Sequence, residues 1–166
     1  MEERRTIVVL FTCYRDVLSS FLHLASRRGY AHTSISLEED GDFYYGFNLK
    51  GFRREYPAQH KKRLRDKSAA LHLGVSEEGY RQIKNRIMEV EEHAEDYRYT
   101  KLGIFLCFLR IPWRKEGRYF CSQFVSELLI AGGIPLRKRP SLYLPNQLAK
   151  ELSGLPCVSR IELQVV

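Results

Sequence analysis

The sequence predicts an α+β domain in which a central, mostly antiparallel sheet packs against helices. Three observations carry this reading. Two β-rich runs, residues 31–39 and 42–50, flank Asp40-Gly41 as the arms of a hairpin. A long amphipathic helix opens at Ser76-Glu77-Glu78. A second helix opens at Cys121 and stops at Gly132-Gly133. With 166 residues, 44% of them hydrophobic and 12% aromatic, the chain is long enough to bury one core, so a single domain over residues 1–166 is expected.

The elements follow in order. Residues 7–14 are β-branched and aromatic and read as a strand. The apolar run at residues 6–11 is too short for a signal segment or a membrane span, which leads to the expectation of a cytoplasmic protein. Residues 19–25, opened by serines and closed by Arg27-Arg28-Gly29, read as a short helix. The hairpin follows and brings His32 and Asn48 to its open end. A two-residue turn at Asp40-Gly41 would pair Thr33 with Asn48, and a longer turn changes the partner but not the neighbourhood.

Residues 53–65 are strongly basic. The net charge of +7 is concentrated there, and a solvated loop is the expected role, with an anionic substrate, a membrane surface or nucleic acid as the other partners of such a run. Residues 68–75 read as a strand, and the long helix should then run through Tyr97 with Tyr80, Ile83, Ile87, Val90 and Ala94 on one face. Residues 102–109 are apolar all round and are expected to form a buried element or part of a substrate groove. In the helix from Cys121, the stripe Cys121, Phe124, Val125, Leu128 and Leu129 should face the core. Pro145 starts a last helix, and residues 158–166 alternate as a final strand.

The four cysteines, Cys13, Cys107, Cys121 and Cys157, form no CxxC pair and lie at no zinc-ligand spacing. Reduced thiols are expected, with no metal and no cofactor. Cys121 stands apart because a thiol at a helix N-terminus meets the positive end of the macrodipole and unpaired backbone N–H groups, which favour thiolate and could receive an oxyanion. From position alone, the commoner role is still a buried small residue on an amphipathic stripe.

A thiol nucleophile needs a base. Of the five histidines, His23 falls on an apolar helical face, His60 in the basic run and His93 in the charged helix, while His72 lies within a strand and remains a weak alternative. His32 begins a strand whose next residues, Thr33, Ser34 and Ser36, are small and hydroxylic, leaving space for a substrate beside the ring. Ser34 is the candidate substrate contact.

The His-Thr-Ser-Ile-Ser-Leu strand, the segment Tyr44-Tyr45-Gly46-Phe47-Asn48-Leu49-Lys50-Gly51-Phe52, the helix Cys-Ser-Gln-Phe-Val-Ser-Glu-Leu-Leu and the segment Pro140-Ser141-Leu142-Tyr143-Leu144-Pro145-Asn146 together resemble the circularly permuted members of the NlpC-type papain-like superfamily. That superfamily includes lecithin retinol acyltransferase-like enzymes and bacterial amidases. The resemblance touches most of the chain, and its order, His before Cys, is the reverse of papain. It implies a permuted papain-like fold with Cys121 as nucleophile and His32 as base. It also implies a third polar residue on the strand after the histidine, here Asn48, with Ser34, Ser36 or Glu55 as substitutes. In such a fold Tyr14 would flank the cleft and donate a hydrogen bond to the oxyanion.

The implied activity is that of a cysteine amidase or peptidase, with a peptide, amide or acyl substrate. One alternative keeps the dyad and makes the substrate a lipid or thioester, residues 102–109 holding the acyl chain. Another is a non-catalytic binding domain for anionic polymers, motivated by the absence of a charged third residue beside His32.

Overall fold

The computed structural model describes residues 4–14, 29–58 and 64–165. The helix expected at residues 19–25, with His23, lies outside them, as does His60 in the basic run. What is described is an α+β architecture with a six-stranded sheet in the order β4-β3-β2-β1-β5-β8. The strands are β1 (Arg4–Tyr14), β2 (His32–Ser36), β3 (Tyr44–Asn48), β4 (Gly51–Glu55), β5 (Leu64–Ser76) and β8 (Val158–Leu163). Every pairing in this sheet is antiparallel. Two short parallel strands, β6 (Arg98–Tyr99) and β7 (Arg118–Tyr119), form a separate ribbon.

β1 is a continuous apolar run because both its faces are buried. Ile7, Val9 and Phe11 enter the main core, whereas Val8 and Leu10 pack with Ala70 on the opposite face. A central strand covered on both sides has no need of alternation. The main core closes between the inner face of the sheet and three helices: α1 (Glu77–Glu92), α3 (Cys121–Ala131) and α4 (Pro145–Leu152).

α1 starts where its cap requires: Gly79 N–H donates to Ser76 Oγ at 3.0 Å, and Glu77 and Glu78 occupy the first turn. It buries Ile83, Ile87 and Val90 as the periodicity predicts, but it ends at Glu92 rather than at Tyr97. A 3-10 turn, Ala94–Asp96, follows, and Tyr97 leads into β6 because Arg98 N–H is bonded to the Gly117 carbonyl. Tertiary pairing here takes the chain out of the helix before its apolar pattern runs out.

α3 carries the expected stripe, all of it buried, and lies across β2 and β3 and against α1. α4 has Pro145 in its first turn and buries Leu148, Ala149 and Leu152. The basic run is only in part a loop: Arg53, Arg54 and Glu55 are in β4, and β5 begins at Leu64. Residues 102–109 form a helix, α2 (Lys101–Phe108), capped by Thr100, whose Oγ1 accepts from Gly103 N–H at 3.0 Å. It was expected to be buried on all sides or to line a groove. Only Gly103, Ile104 and Cys107 are buried, since neighbouring elements cover just one side.

Candidate active site

Cys121 is the first residue of α3, and no side chain caps that end, where the N-cap residue is Phe120. The first-turn N–H groups of a helix have no partner within it, so their partial positive charge collects beside the thiol. The turn is held from several directions. Tyr119, in β7, pairs with Tyr99 of β6, and its hydroxyl accepts from Arg86 Nη2 at 3.1 Å. Ser122 Oγ donates to the Tyr143 carbonyl at 2.6 Å, and the Phe124 ring packs edge-on to Phe47 of β3 at 4.9 Å between centroids. Together these contacts set the thiol against the sheet.

His32 is the first residue of β2, where the Ala31 amide bonds the Thr12 carbonyl. Its Nε2 lies 2.7 Å from Oε2 of Glu55, in a buried pair. Glu55 ends β4, and β3 lies between it and β2. The carboxylate therefore crosses the width of a strand to reach the ring, and it crosses at Gly46. A Cβ built on Gly46 would stand 3.3 Å from the Glu55 carboxyl and 3.1 Å from Ser34 Cβ. The strand glycine is thus a passage for the carboxylate. β4 is in turn tied to α1 by Arg54, whose Nε and Nη2 donate to the two oxygens of Glu91 at 2.5 and 3.0 Å.

The His32 ring also interacts with the Cys121 side chain. Burial by itself would lower the pKa of the ring, but the Glu55 carboxylate, the bonding to Cys121 and Glu55 and the charge of Cys121 outweigh it. The imidazole is held well above its usual 6.5. The ring thus links an acceptor carboxylate to a thiol, and the carboxylate favours the imidazolium form. In nearby Cys107, burial, opposed by Lys138 and reinforced by Cys121, pushes the thiol up to about 12. Burial also raises Cys157.

His32 and Cys121 are therefore brought together as expected, while the third position differs. Asn48 does not serve the ring. It closes the turn between β3 and β4, where its Oδ1 accepts from Lys50 N–H at 2.9 Å. The reason is local, since an Asx side chain satisfies the amide two residues on more readily than it reaches a neighbouring strand. Ser36 is occupied in a similar way by Glu38 N–H at 3.2 Å. Of the three substitutes for Asn48, Glu55 is the one that reaches the ring.

Ser34, expected to face a substrate, is closed in beside Gly46 and only 1% exposed. Tyr14 ends β1 opposite Leu64, and its side chain lies outside the described residues. His72 has other partners, with Nε2 3.1 Å from Glu162 and 3.2 Å from Arg160. His93 ends α1.

Sequence reasoning missed Gln123. It is fully buried two residues beyond Cys121, and neither of its amide atoms has a hydrogen-bond partner among the described residues. The signal that was available for Glu55 was the isolated glycine in an aromatic strand, which marks a close approach.

No protein-family model matches the chain, and no curated protein sequence matches it. Among solved structures, the chain is similar to the crystal structure of the metalloprotein yiiX from Escherichia coli O157:H7, a DUF1105 protein. The TM-score is 0.52 at 15% sequence identity, over 96% of this chain and 95% of that one. At that identity the likeness is one of fold.

Proposed function

We propose that this chain is a cysteine hydrolase that cleaves an amide bond through an acyl-enzyme on Cys121. The observation that carries the reading is the position of His32, buried between the Glu55 carboxylate at 2.7 Å and the Cys121 thiol at the head of a helix. The two ring nitrogens point away from each other. Nε2 is bonded to Glu55, and the same ring is coupled to the Cys121 side chain. Glu55 orients the ring and stabilises its cation, the role that the third member plays in such triads.

In the reaction His32 takes the proton of Cys121, and the thiolate sulfur attacks the carbonyl carbon. A C–S bond forms, and the oxyanion is received by backbone N–H groups at the start of α3. As the C–N bond breaks, His32 delivers its proton to the leaving amine. His32 then takes a proton from water as that water attacks the thioester, and release of the carboxylic acid restores the thiol. An ester or thioester substrate would follow the same steps with an oxygen or sulfur leaving group. The Glu55 carboxyl beside His32 favours the catalytic reading over a non-catalytic one.

The structural neighbour is described as a metalloprotein. The residues here do not suit a metal: His32 Nε2, a nitrogen that could ligate one, is taken up by Glu55 at 2.7 Å. Among the described residues no three His, Cys, Asp or Glu side chains are grouped to hold an ion. No step is routed through one.

The test is timed alkylation with iodoacetamide followed by peptide mass mapping, together with trapping of an acyl adduct from activated short amides and esters. Cys121 is expected to react first and stoichiometrically, and Cys121→Ala to form no adduct. Alkylation of Cys121 no faster than that of Cys13, Cys107 and Cys157 would defeat the reading.

A further inference from the structure

Past Lys101, α2 is apolar on every side, yet only one side is covered. Its buried residues Ile104 and Cys107 pack with Cys13, Ala31, Phe120 and Leu144, a cluster that includes the residues just before His32 and Cys121. On the other side, Leu102, Phe105, Leu106 and Leu109 recur at i, i+3, i+4 and i+7, and Ile111 follows just past the helix end. Leu102, Phe105, Leu109 and Ile111 are each between 47% and 54% exposed. A surface helix ordinarily turns polar residues outward. Single exposed apolar residues are unremarked on any surface, but a contiguous row marks a place of contact.

The surroundings of the row indicate what covers it. Residues 101–116 contain Lys101, Arg110, Arg114 and Lys115 against one carboxylate, Glu116. Arg137-Lys138-Arg139 leads into the 3-10 turn Pro140–Leu142, which packs on α2. Arg114 is paired with Glu127 at 3.4 Å.

The helix ends with Arg110 N–H bonded to the Cys107 carbonyl at 3.0 Å and Ile111 N–H to the Leu106 carbonyl at 2.9 Å. This closing turn needs a left-handed residue, and Arg110 supplies it at φ 61, where glycine would be easier. The chain thus keeps a cation between Leu109 and Ile111 at the expense of backbone strain. Trp113, the single tryptophan, follows two residues after Ile111.

A basic rim around an apolar row disfavours a second copy of the same surface, which would set cation against cation. It suits an anionic lipid surface, into which apolar side chains enter while Lys and Arg meet the headgroups and Trp sits at the boundary. No helix among the described residues is long and apolar enough to cross a membrane.

We propose that the outer face of α2, with Ile111 and its basic rim, docks this chain on an anionic phospholipid bilayer in the plane of the interface. Because the covered side of the same helix packs on Phe120, next to Cys121, docking would hold the Cys121 turn one helix away from the membrane surface. The inference goes beyond the thiol chemistry and fails separately from it: Cys121→Ala is expected to bind vesicles like the wild type.

The experiment is flotation of the full chain with vesicles of phosphatidylglycerol and phosphatidylcholine, and with phosphatidylcholine alone, while the emission of Trp113 is followed. The chain is expected to float with the anionic vesicles and its emission to shift to the blue, both weakening as salt is added. Lys101→Gln and Lys115→Gln should each lower partitioning roughly fivefold. Phe105→Glu with Leu109→Glu should lower it about tenfold or more and leave Cys121 alkylation unchanged.

Absence of flotation or of an emission shift, equal binding to neutral vesicles, or binding indifferent to Phe105→Glu with Leu109→Glu would overturn the proposal. So would a dimer in sedimentation equilibrium that the same double variant dissociates, since the occupant would then be a second copy.

Discussion

Glu55 Oε2 stands 2.7 Å from His32 Nε2 although the two residues belong to strands separated by a third, and the carboxylate crosses that third strand over Gly46. This relationship gives His32 a fixed ring orientation and a compensating charge inside the protein, where an uncompensated imidazolium would be costly.

The first consequence concerns Glu55→Gln. The amide keeps the shape but removes the charge that raises the His32 pKa, so the imidazole should lose its proton at lower pH. The pH profile of Cys121 alkylation should show its alkaline limb displaced downward toward about pH 6.5, the ordinary value for His. Turnover, once a substrate is found, should fall on the order of 10²-fold. A profile that matches the wild type would remove Glu55 from the site.

Gly46→Ala places a methyl group 3.3 Å from the Glu55 carboxyl and 3.1 Å from Ser34 Cβ, so that one of the two must give way. Displacement of the carboxylate should reproduce the Glu55→Gln alkylation profile in weaker form. Gly46→Val leaves less room and should also cost about 1–3 kcal/mol of stability through overpacking. Denaturant unfolding separates the two effects, and an unchanged profile in Gly46→Ala would show that the carboxylate does not need the gap.

The pH dependence of stability follows from His32. Its folded-state pKa is raised above the unfolded value near 6.5, so the folded state binds the proton more tightly. The stability this contributes is fully present below about pH 6.5 and is lost as pH rises through the folded-state pKa. Melting temperatures of the wild type and His32→Gln, measured between about pH 6 and 9, should converge with rising pH. A gap that widens toward alkaline pH would mean that the folded protein holds the ring neutral.

Gln123 is buried with both amide atoms unpartnered among the described residues. Such groups lose their hydration without replacement, at roughly 1–3 kcal/mol. Gln123→Met, close to it in length, should therefore raise the melting temperature by about 2–4 °C for each kcal/mol recovered. A lower melting temperature would show that the amide is satisfied in solution by a buried water.

What the sequence alone determined is local. The end of α3 and the start of α4 were legible because the Gly132-Gly133 stop, Pro145 and a 3.6-residue apolar period act within a few residues. Cys121 and His32 were legible as a pair because helix-start and strand-start positions can be read without knowing the fold, with the family resemblance to connect them.

The third residue was not, since Asn48 and Glu55 both lie near the end of a strand that sheet order carries toward His32. Choosing between them required knowing that a turn amide takes the Asn48 oxygen and that a missing Cβ lets Glu55 across β3. The side of α2 left uncovered was equally hidden, because a helix apolar all round has no pattern from which an outward face can be read. Tertiary structure decided both, since each depends on which neighbours arrive across space and which do not.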